Sequence, residues 1–296
     1  MGPFLERLNL LLRPRTLRDL PDLLGVSVAA KEVEALALTA AESSRPVLVR
    51  GASGTGKALV ARRIHLLSDR SAAPFVHVNL ARDGADLSVL EAAAAEVGEG
   101  VLFLNGLNRM GRAAQDWLMR WLDAAPDVRI IAACGADMAD LVKAGSFRED
   151  LYFRLALFEI PIPPLKDRPE DAVWLLHQLF DMMIARTSSP LRAISGLADQ
   201  AVRTHDWPGN GRELRARLLQ AMETVVGDTI FPSDLFPESK TAPDAPFPSL
   251  SEARDRAERA HILAALERAD GQVTEAARLL KVSRTTLWEK MQKLGL

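Results

Sequence analysis

PVLVRGASGTGKA, residues 46–58, decides the fold. Its first five residues, Pro46–Arg50, form a short β-rich run. From Gly51 the spacing is G-x-x-x-x-G-K, and a helical pattern over Leu59–Leu67 follows. A strand, a glycine loop and a helix in that order are the setting in which such a loop holds phosphate. Gly54 and Gly56 let backbone N–H groups curl around an anion, and the helix N-terminus adds partial positive charge. Lys57 is placed to reach β- and γ-phosphates. The residues expected to hold nucleotide are Gly51, Ala52, Ser53, Gly54, Thr55, Gly56, Lys57 and Ala58. The motif normally closes on Ser or Thr; Ala58 offers Mg²⁺ no hydroxyl.

Four further runs continue the pattern of the first: Phe75–Asn79, Val101–Asn105, Val128–Cys134 and Leu157–Ile162. Each is nearly all apolar, as strands covered on both faces are. Helical stretches alternate with them, including Ala113–Leu122 and an alanine-rich one at Leu87–Val97. The alternation predicts a doubly wound parallel sheet. From Pro169 to about Val226 the pattern is purely helical. Pro169 suits a first-turn position, Glu170 and Asp171 complement the helix N-terminus, and Trp174, Leu175, Leu176, Leu179 and Phe180 form a buried stripe. Trp207–Asn210 reads as a turn, with Asn210 as N-cap and Glu213 three residues on. The segment 237–250, with four prolines, is a spacer and a domain boundary.

Bulk properties narrow the class. The 296 residues suit two or three units, and 48% hydrophobic against 26% charged residues supports a sizeable core. A net charge of −2 confines any nucleic-acid surface to a local patch. One cysteine, Cys134, excludes an internal disulfide framework and fits a reducing compartment. Five scattered histidines lack metal-ligand spacing, and no metal site is expected. No run is long enough to span a membrane; Leu8–Leu12 reads as a surface helix rather than a signal peptide, so a cytoplasmic protein is expected.

The C-terminal unit, 251–296, reads as three helices. Ser251 is expected to cap a first one over Arg254–Ala269, with Asp270-Gly271 ending it. Thr274–Leu280 forms the second, with Ala276, Ala277 and Leu280 inward, and Lys281-Val282 the turn. Ser283 caps the third, whose core is Leu287, Trp288, Met291 and Leu294. Its outward set is Arg284, Thr285, Thr286, Glu289, Lys290 and Lys293. From Ala276 on, Arg278, Lys281, Arg284, Lys290 and Lys293 face one acid, Glu289. That is a basic helix-turn-helix, where Arg284 suits guanine, a threonine methyl suits thymine, and Lys281, Lys290 and Lys293 suit phosphates. The expected DNA-binding residues are Lys281, Ser283, Arg284, Thr285, Thr286, Lys290 and Lys293. Ile262, Leu263 and Leu266 are expected to form a dimer face, which predicts a palindromic site.

Read together, GASGTGK (51–57), PFVHVN (74–79), VLFLN (101–105), VRIIAA (128–133), GSFREDLYFRL (145–155), PPLKDRPED (163–171), WPGNGREL (207–214) and the helices of 271–296 carry a family likeness. The chain resembles the bacterial enhancer-binding proteins, the sigma-54-dependent AAA+ transcription activators with a Fis-type helix-turn-helix. It resembles the short members without a preceding sensory domain. The resemblance implies an N-terminal extension (1–20), an AAA+ α/β core (21–168), a helical lid (169–236), a linker (237–250) and a DNA-binding domain (251–296). It implies ATP or ADP as ligand, Arg212 as a lid arginine on phosphate, and Arg148 and Arg154 as arginines reaching a neighbour's nucleotide. From the residues alone, Arg148 and Arg154 read as surface partners of Glu149 and Asp150.

The departures from that family are as informative. Its third strand ends in two acids, one for Mg²⁺ and one to polarise water; here Asn105 and Gly106 stand there. A glycine cannot act as a general base. Asn79 is present without the glutamate it positions in the family. Cys134-Gly135 replaces a Thr-Asn sensor, and Leu80–Gly100 lacks the G-A-F-T-G-A loop that engages sigma-54. The expectation is a DNA-binding regulator with a degenerate module that binds nucleotide, hydrolyses it poorly and leaves Mg²⁺ short of ligands. The partners implied are duplex DNA, further copies in a dimer or ring, and RNA polymerase or an intact relative. The alternatives are an active sigma-54-dependent ATPase and a subunit that lends Arg148 and Arg154 to an intact relative.

Overall fold

A computed structural model of the chain describes residues 25–84, 86–124, 127–185, 191–239, 249–269 and 271–296. The expectations placed on Leu8–Leu12, most of the 237–250 spacer and Asp270 lie outside the described residues. The chain divides into two compact units between Pro237 and Glu238.

The first unit opens with α1 (Val28–Ala41), β1 (Val47–Arg50), α2 (Lys57–Leu67) and β2 (Phe75–Asn79). It continues through α3 (Leu87–Val97), β3 (Val101–Asn105), α4 (Arg112–Ala124), β4 (Arg129–Cys134), α5 (Met138–Lys143), α6 (Glu149–Leu155) and β5 (Phe158–Pro161). The five strands form one parallel sheet in the order β2-β3-β4-β1-β5. Alternating residues of each strand point to opposite faces, and both faces are apolar. Leu102 and Leu104 join one core with α3 and α4, whereas Val101 and Phe103 join the other with α1 and α2. The strand register lines up Arg50 with Cys134, Ala133 with Asn105, and Asn105 with Asn79. The C-terminal strand ends therefore form one continuous ledge, the usual ligand edge of an open α/β sheet.

The helical part of this unit comprises α7 (Pro169–Ile184), α8 (Gly196–Thr204), α9 (Asn210–Thr224) and α10 (Pro232–Leu235). The stretch is not purely helical: β6 (Ala193–Ile194) pairs in parallel with β7 (Thr229–Ile230). Two-residue strands leave no periodic signal to read in a sequence. The helices close around Leu176, Phe180, Trp207, Leu214 and Leu218. Pro169 sits in the first turn of α7 as expected. Asp171 does more than complement the helix N-terminus. Fully buried, it accepts from the backbone N–H groups of Val26 and Ser27 at 2.7 Å each and from Ser27 Oγ at 2.7 Å. One carboxylate thus fastens α7 to the chain entering α1.

The second unit consists of α11 (Leu250–Arg268), α12 (Val273–Leu279) and α13 (Arg284–Leu294). Helix α11 starts one residue before Ser251, so Ser251 is not its cap. Ser283 does cap α13, accepting from the Thr286 N–H at 3.0 Å. Ile262, Ala265, Ala276, Ala277 and Leu287 form the core, with Leu266, Leu280, Met291 and Leu294 packed around it. Two expectations are corrected here. Trp288 is not in the core but 57% exposed. Ile262 and Leu266 pack within the unit, so of the expected dimer face only Leu263 is exposed.

Candidate functional site

The phosphate loop crosses the ledge between β1 and α2, and its glycines do what the spacing requires. Gly54 (φ +81°) and Gly56 (φ +104°) occupy the left-handed region that favours glycine. Buried Thr55 donates from Oγ1 to the Ala52 carbonyl at 2.9 Å, bracing the turn. Lys57 Nζ donates to the Gly51 and Ala52 carbonyls at 2.7 Å each. Burial lowers the Lys57 pKa, so an anion seated in the loop would relieve a real desolvation cost.

The lid is fastened to this loop by the WPGNGR turn. Asn210 is not the N-cap of α9; Gly209 holds that position, and Glu213 Oε2 accepts from the Gly209 N–H at 2.8 Å. Asn210 adopts φ +51° and bridges instead. Its Oδ1 accepts from the Leu165 N–H at 2.7 Å and its Nδ2 donates to the Ser53 carbonyl at 2.9 Å. The Gly211 N–H reaches the Gly54 carbonyl at 3.1 Å, and Arg212 Nη1 donates to Ser53 Oγ at 3.2 Å. The sequence signal for a cap was read one residue late, because a cap and a long-range bridge use the same residue type.

Between loop, ledge and lid lies a cleft of about 880 Å³. Its lining includes Ser53, Gly54, Gly56, Lys57 and Ala58 from the loop, and Asn79, Asn105, Gly106, Cys134 and Gly135 from the strand ends. Arg212, Arg215, Ala216 and Leu219 come from α9. Gly51, Ala52 and Thr55, also expected on the ligand, do not line it. Three arginines that the sequence reading missed also line it: Arg82, Arg109 and Arg215. None belongs to the motif, and only the fold brings them in. Burial lowers the Arg215 pKa and pushes the Cys134 thiol up to about 12, so that thiol is not a nucleophile.

The size, the glycine cradle and the lysine fit a nucleoside polyphosphate. They do not fit a divalent cation held in the ordinary way. Mg²⁺ takes carboxylate or hydroxyl oxygens; among the described residues no Asp or Glu lines the cleft, and the loop ends in Ala58. No group of three or more His, Cys, Asp or Glu able to hold a metal is found among them. Gly106 adopts φ +96°, a backbone conformation that a residue carrying a side chain resists.

Arg148 and Arg154 lie outside this cleft. Arg148 pairs with Asp116 and Asp150, and its hydrogen bond lowers the Asp150 carboxyl to about 2. Arg154 pairs with Asp123 and reaches the Leu122 carbonyl at 3.1 Å. The Asp150 partner was expected; Glu149 takes no part in these pairs.

On α13, Arg284, Thr285 and Trp288 are exposed on one face. Lys281 stands at the turn with φ +56°. The basic patch is smaller than its composition suggests. Arg278 is bound to Glu275, Lys290 to Glu258 and Lys293 to Asp255. Lys281 and Arg284 make no ion pair among the described residues and carry the uncommitted charge.

The family model described as Sigma-54 interaction domain matches residues 24–165, and the AAA+ ATPase lid domain matches 166–250. Residues 253–294 match the bacterial regulatory protein Fis family. Regulatory protein AtoC of Escherichia coli is 33% identical over 86% of this chain and 63% of its own length. For the nitrogen assimilation regulatory protein NtrX of Azorhizobium caulinodans the values are 30%, 98% and 73%. For ZraR of Escherichia coli they are 32%, 92% and 68%. The chain spans less than two thirds of AtoC and 56% of the phenol regulator MopR of Acinetobacter guillouiae. The crystal structure of Brucella abortus NtrX with ADP superposes with TM-score 0.70 at 27% identity, over 99% of this chain and 72% of that one. Another crystal structure of NtrX from Brucella abortus, with ATP, gives 0.68 at 29%.

Proposed function

The chain belongs to the sigma-54 interaction domain family of bacterial transcription regulators, and from that premise we propose a DNA-binding regulator whose AAA+ module binds ATP or ADP and hydrolyses it poorly. The observation that carries this reading is a nucleotide-sized cleft with an intact glycine cradle and no lining carboxylate. Binding needs the first; turnover needs the second, since a general base supplies ~10²–10⁴ in rate. Solved NtrX structures with ADP and with ATP support nucleotide as the ligand. Nucleotide here is a structural ligand that stabilises the lid-closed, assembly-competent form by mass action.

Among the described residues, the connection from β2 to β3 holds helix α3, and its sequence lacks the G-A-F-T-G-A pattern, which supports a regulator that does not engage sigma-54 through that route. The second unit reads DNA with Arg284 and Thr285 on base edges and Lys281, Ser283 and Thr286 beside them. Lys290 and Lys293 reach phosphates only by leaving Glu258 and Asp255. A cytoplasmic location, self-association, and RNA polymerase as a partner complete the reading. A second reading, in which the chain lends Arg148 and Arg154 to an intact relative, is favoured by their position outside their own cleft. ATP hydrolysis stimulated only in the mixture would mark it.

The experiment that tests the reading is selection of bound sequences from a random duplex pool by the full chain. An enriched inverted repeat, lost with Arg284→Ala, supports it. No enrichment overturns it.

A further inference from the structure

We propose that the cleft takes its nucleoside polyphosphate without a divalent metal, with the Arg109 guanidinium supplying positive charge at the strand end that lacks its acids. The inference deepens the nucleotide reading above and rests on it. Five cations line the cleft: Lys57, Arg82, Arg109, Arg212 and Arg215. No Asp or Glu does so among the described residues. A site of one sign, walled by protein, concentrates the opposite charge. It repels Mg²⁺ and attracts a free polyphosphate.

Position singles out Arg109 among the five. Gly106, one residue after Asn105, stands where the second of the two strand-end acids would be. A Cβ built there lies 4.0 Å from Arg109 Cγ, so the arginine stem runs beside the missing acid. The Arg109 N–H bonds to the Gly106 carbonyl at 2.9 Å, which fixes that proximity in the backbone. Arg82 is held by Asp83 at 2.7 Å, and Arg215 is half-buried on the lid. Arg109 is exposed and makes no ion pair among the described residues, so its charge is uncommitted. Asp83 and Asp137 do not line the cleft: Asp83 is held by Arg82, and Asp137 lies behind Gly135, where its Oδ2 accepts from Asn108 Nδ2 at 3.3 Å. A planar guanidinium can take two phosphate oxygens at once, as a metal does, without needing a carboxylate behind it.

The test is equilibrium binding of a fluorescent ATP analogue to the full chain, in excess EDTA and in excess Mg²⁺. Affinity in EDTA is expected to equal or exceed that in Mg²⁺. Arg109→Ala is expected to weaken binding in EDTA by about tenfold, a typical size for one charge-assisted contact. Arg120→Ala removes the same charge from an exposed site outside the cleft and is expected to leave affinity unchanged. Mn²⁺ alone, titrated by electron paramagnetic resonance, is expected to stay free in the presence of protein and ATP beyond what ATP binds. Binding that requires Mg²⁺, or an Arg109→Ala affinity equal to wild type, overturns the proposal while leaving nucleotide binding intact. No binding in either buffer overturns both.

Discussion

Asn210 Nδ2 donates to the Ser53 carbonyl at 2.9 Å, joining residues 157 positions apart in the chain. The same side chain accepts from the Leu165 N–H at 2.7 Å. Lid, phosphate loop and the end of the sheet region thus share one amide. Its φ of +51° is a second constraint, which Asn tolerates better than most residues.

Asn210→Gly keeps the backbone freedom and removes both bonds. It is expected to cost about 1–3 kcal/mol in unfolding of the first unit, the penalty for leaving a buried partner unsatisfied. Proteolysis of the lid should accelerate alongside. Unchanged stability in denaturant unfolding would show that φ, not the bridge, selects Asn here.

The alternation of apolar runs and helical patterns made the sheet legible, because strands covered on both faces leave a strong composition signal. Val101–Asn105 has the predicted bounds for that reason, and the alanine-rich helix Leu87–Val97 has them as well. The strand–loop–helix turn was legible through Gly54, Gly56 and Lys57, because its backbone geometry is set locally. Arg82, Arg109 and Arg215 were not, because they reach the cleft only through the fold. Trp288 was misread since an aromatic at helical spacing resembles a core residue; the adjacent Leu287 fills that place.

Lys281 holds φ +56° at the turn before α13, a conformation that costs a side-chain-bearing residue about 1–2 kcal/mol. Lys281→Gly should raise the melting temperature of the second unit in calorimetry of the full chain. It should also lower the salt slope of DNA binding by ~1 if the lysine meets a phosphate. A lower melting temperature would mean that the lysine side chain contributes more than the strain costs.

Arg284→Ala should lower operator affinity by about tenfold to a hundredfold and relax sequence preference at one base. Trp288→Ala should weaken affinity as well, since the ring shares the exposed face of α13 with Arg284. Lys290→Ala should leave the salt slope unchanged, because Glu258 already holds that charge. Fluorescence anisotropy with duplex DNA across a salt series distinguishes the three.

His65 is buried, its Nδ1 has no hydrogen-bond partner, and burial lowers its pKa to about 4. The unfolded imidazole titrates near pH 6.5, so the unfolded chain binds the extra proton between those values. His65 therefore leaves stability untouched above pH 6.5 and subtracts from it as pH falls toward 4, by up to ~3 kcal/mol. His65→Gln should flatten that part of the pH–stability curve. An unaltered slope would assign the acid sensitivity elsewhere.

Phosphate release from saturating ATP, with nucleotide binding measured on the same sample, tests the central claim most directly. The account predicts bound nucleotide and no release above background, because Asn105 and Gly106 leave the cleft without a base. Release at ~1 s⁻¹ or faster, an ordinary enzymatic rate, would contradict it and make the protein a working ATPase.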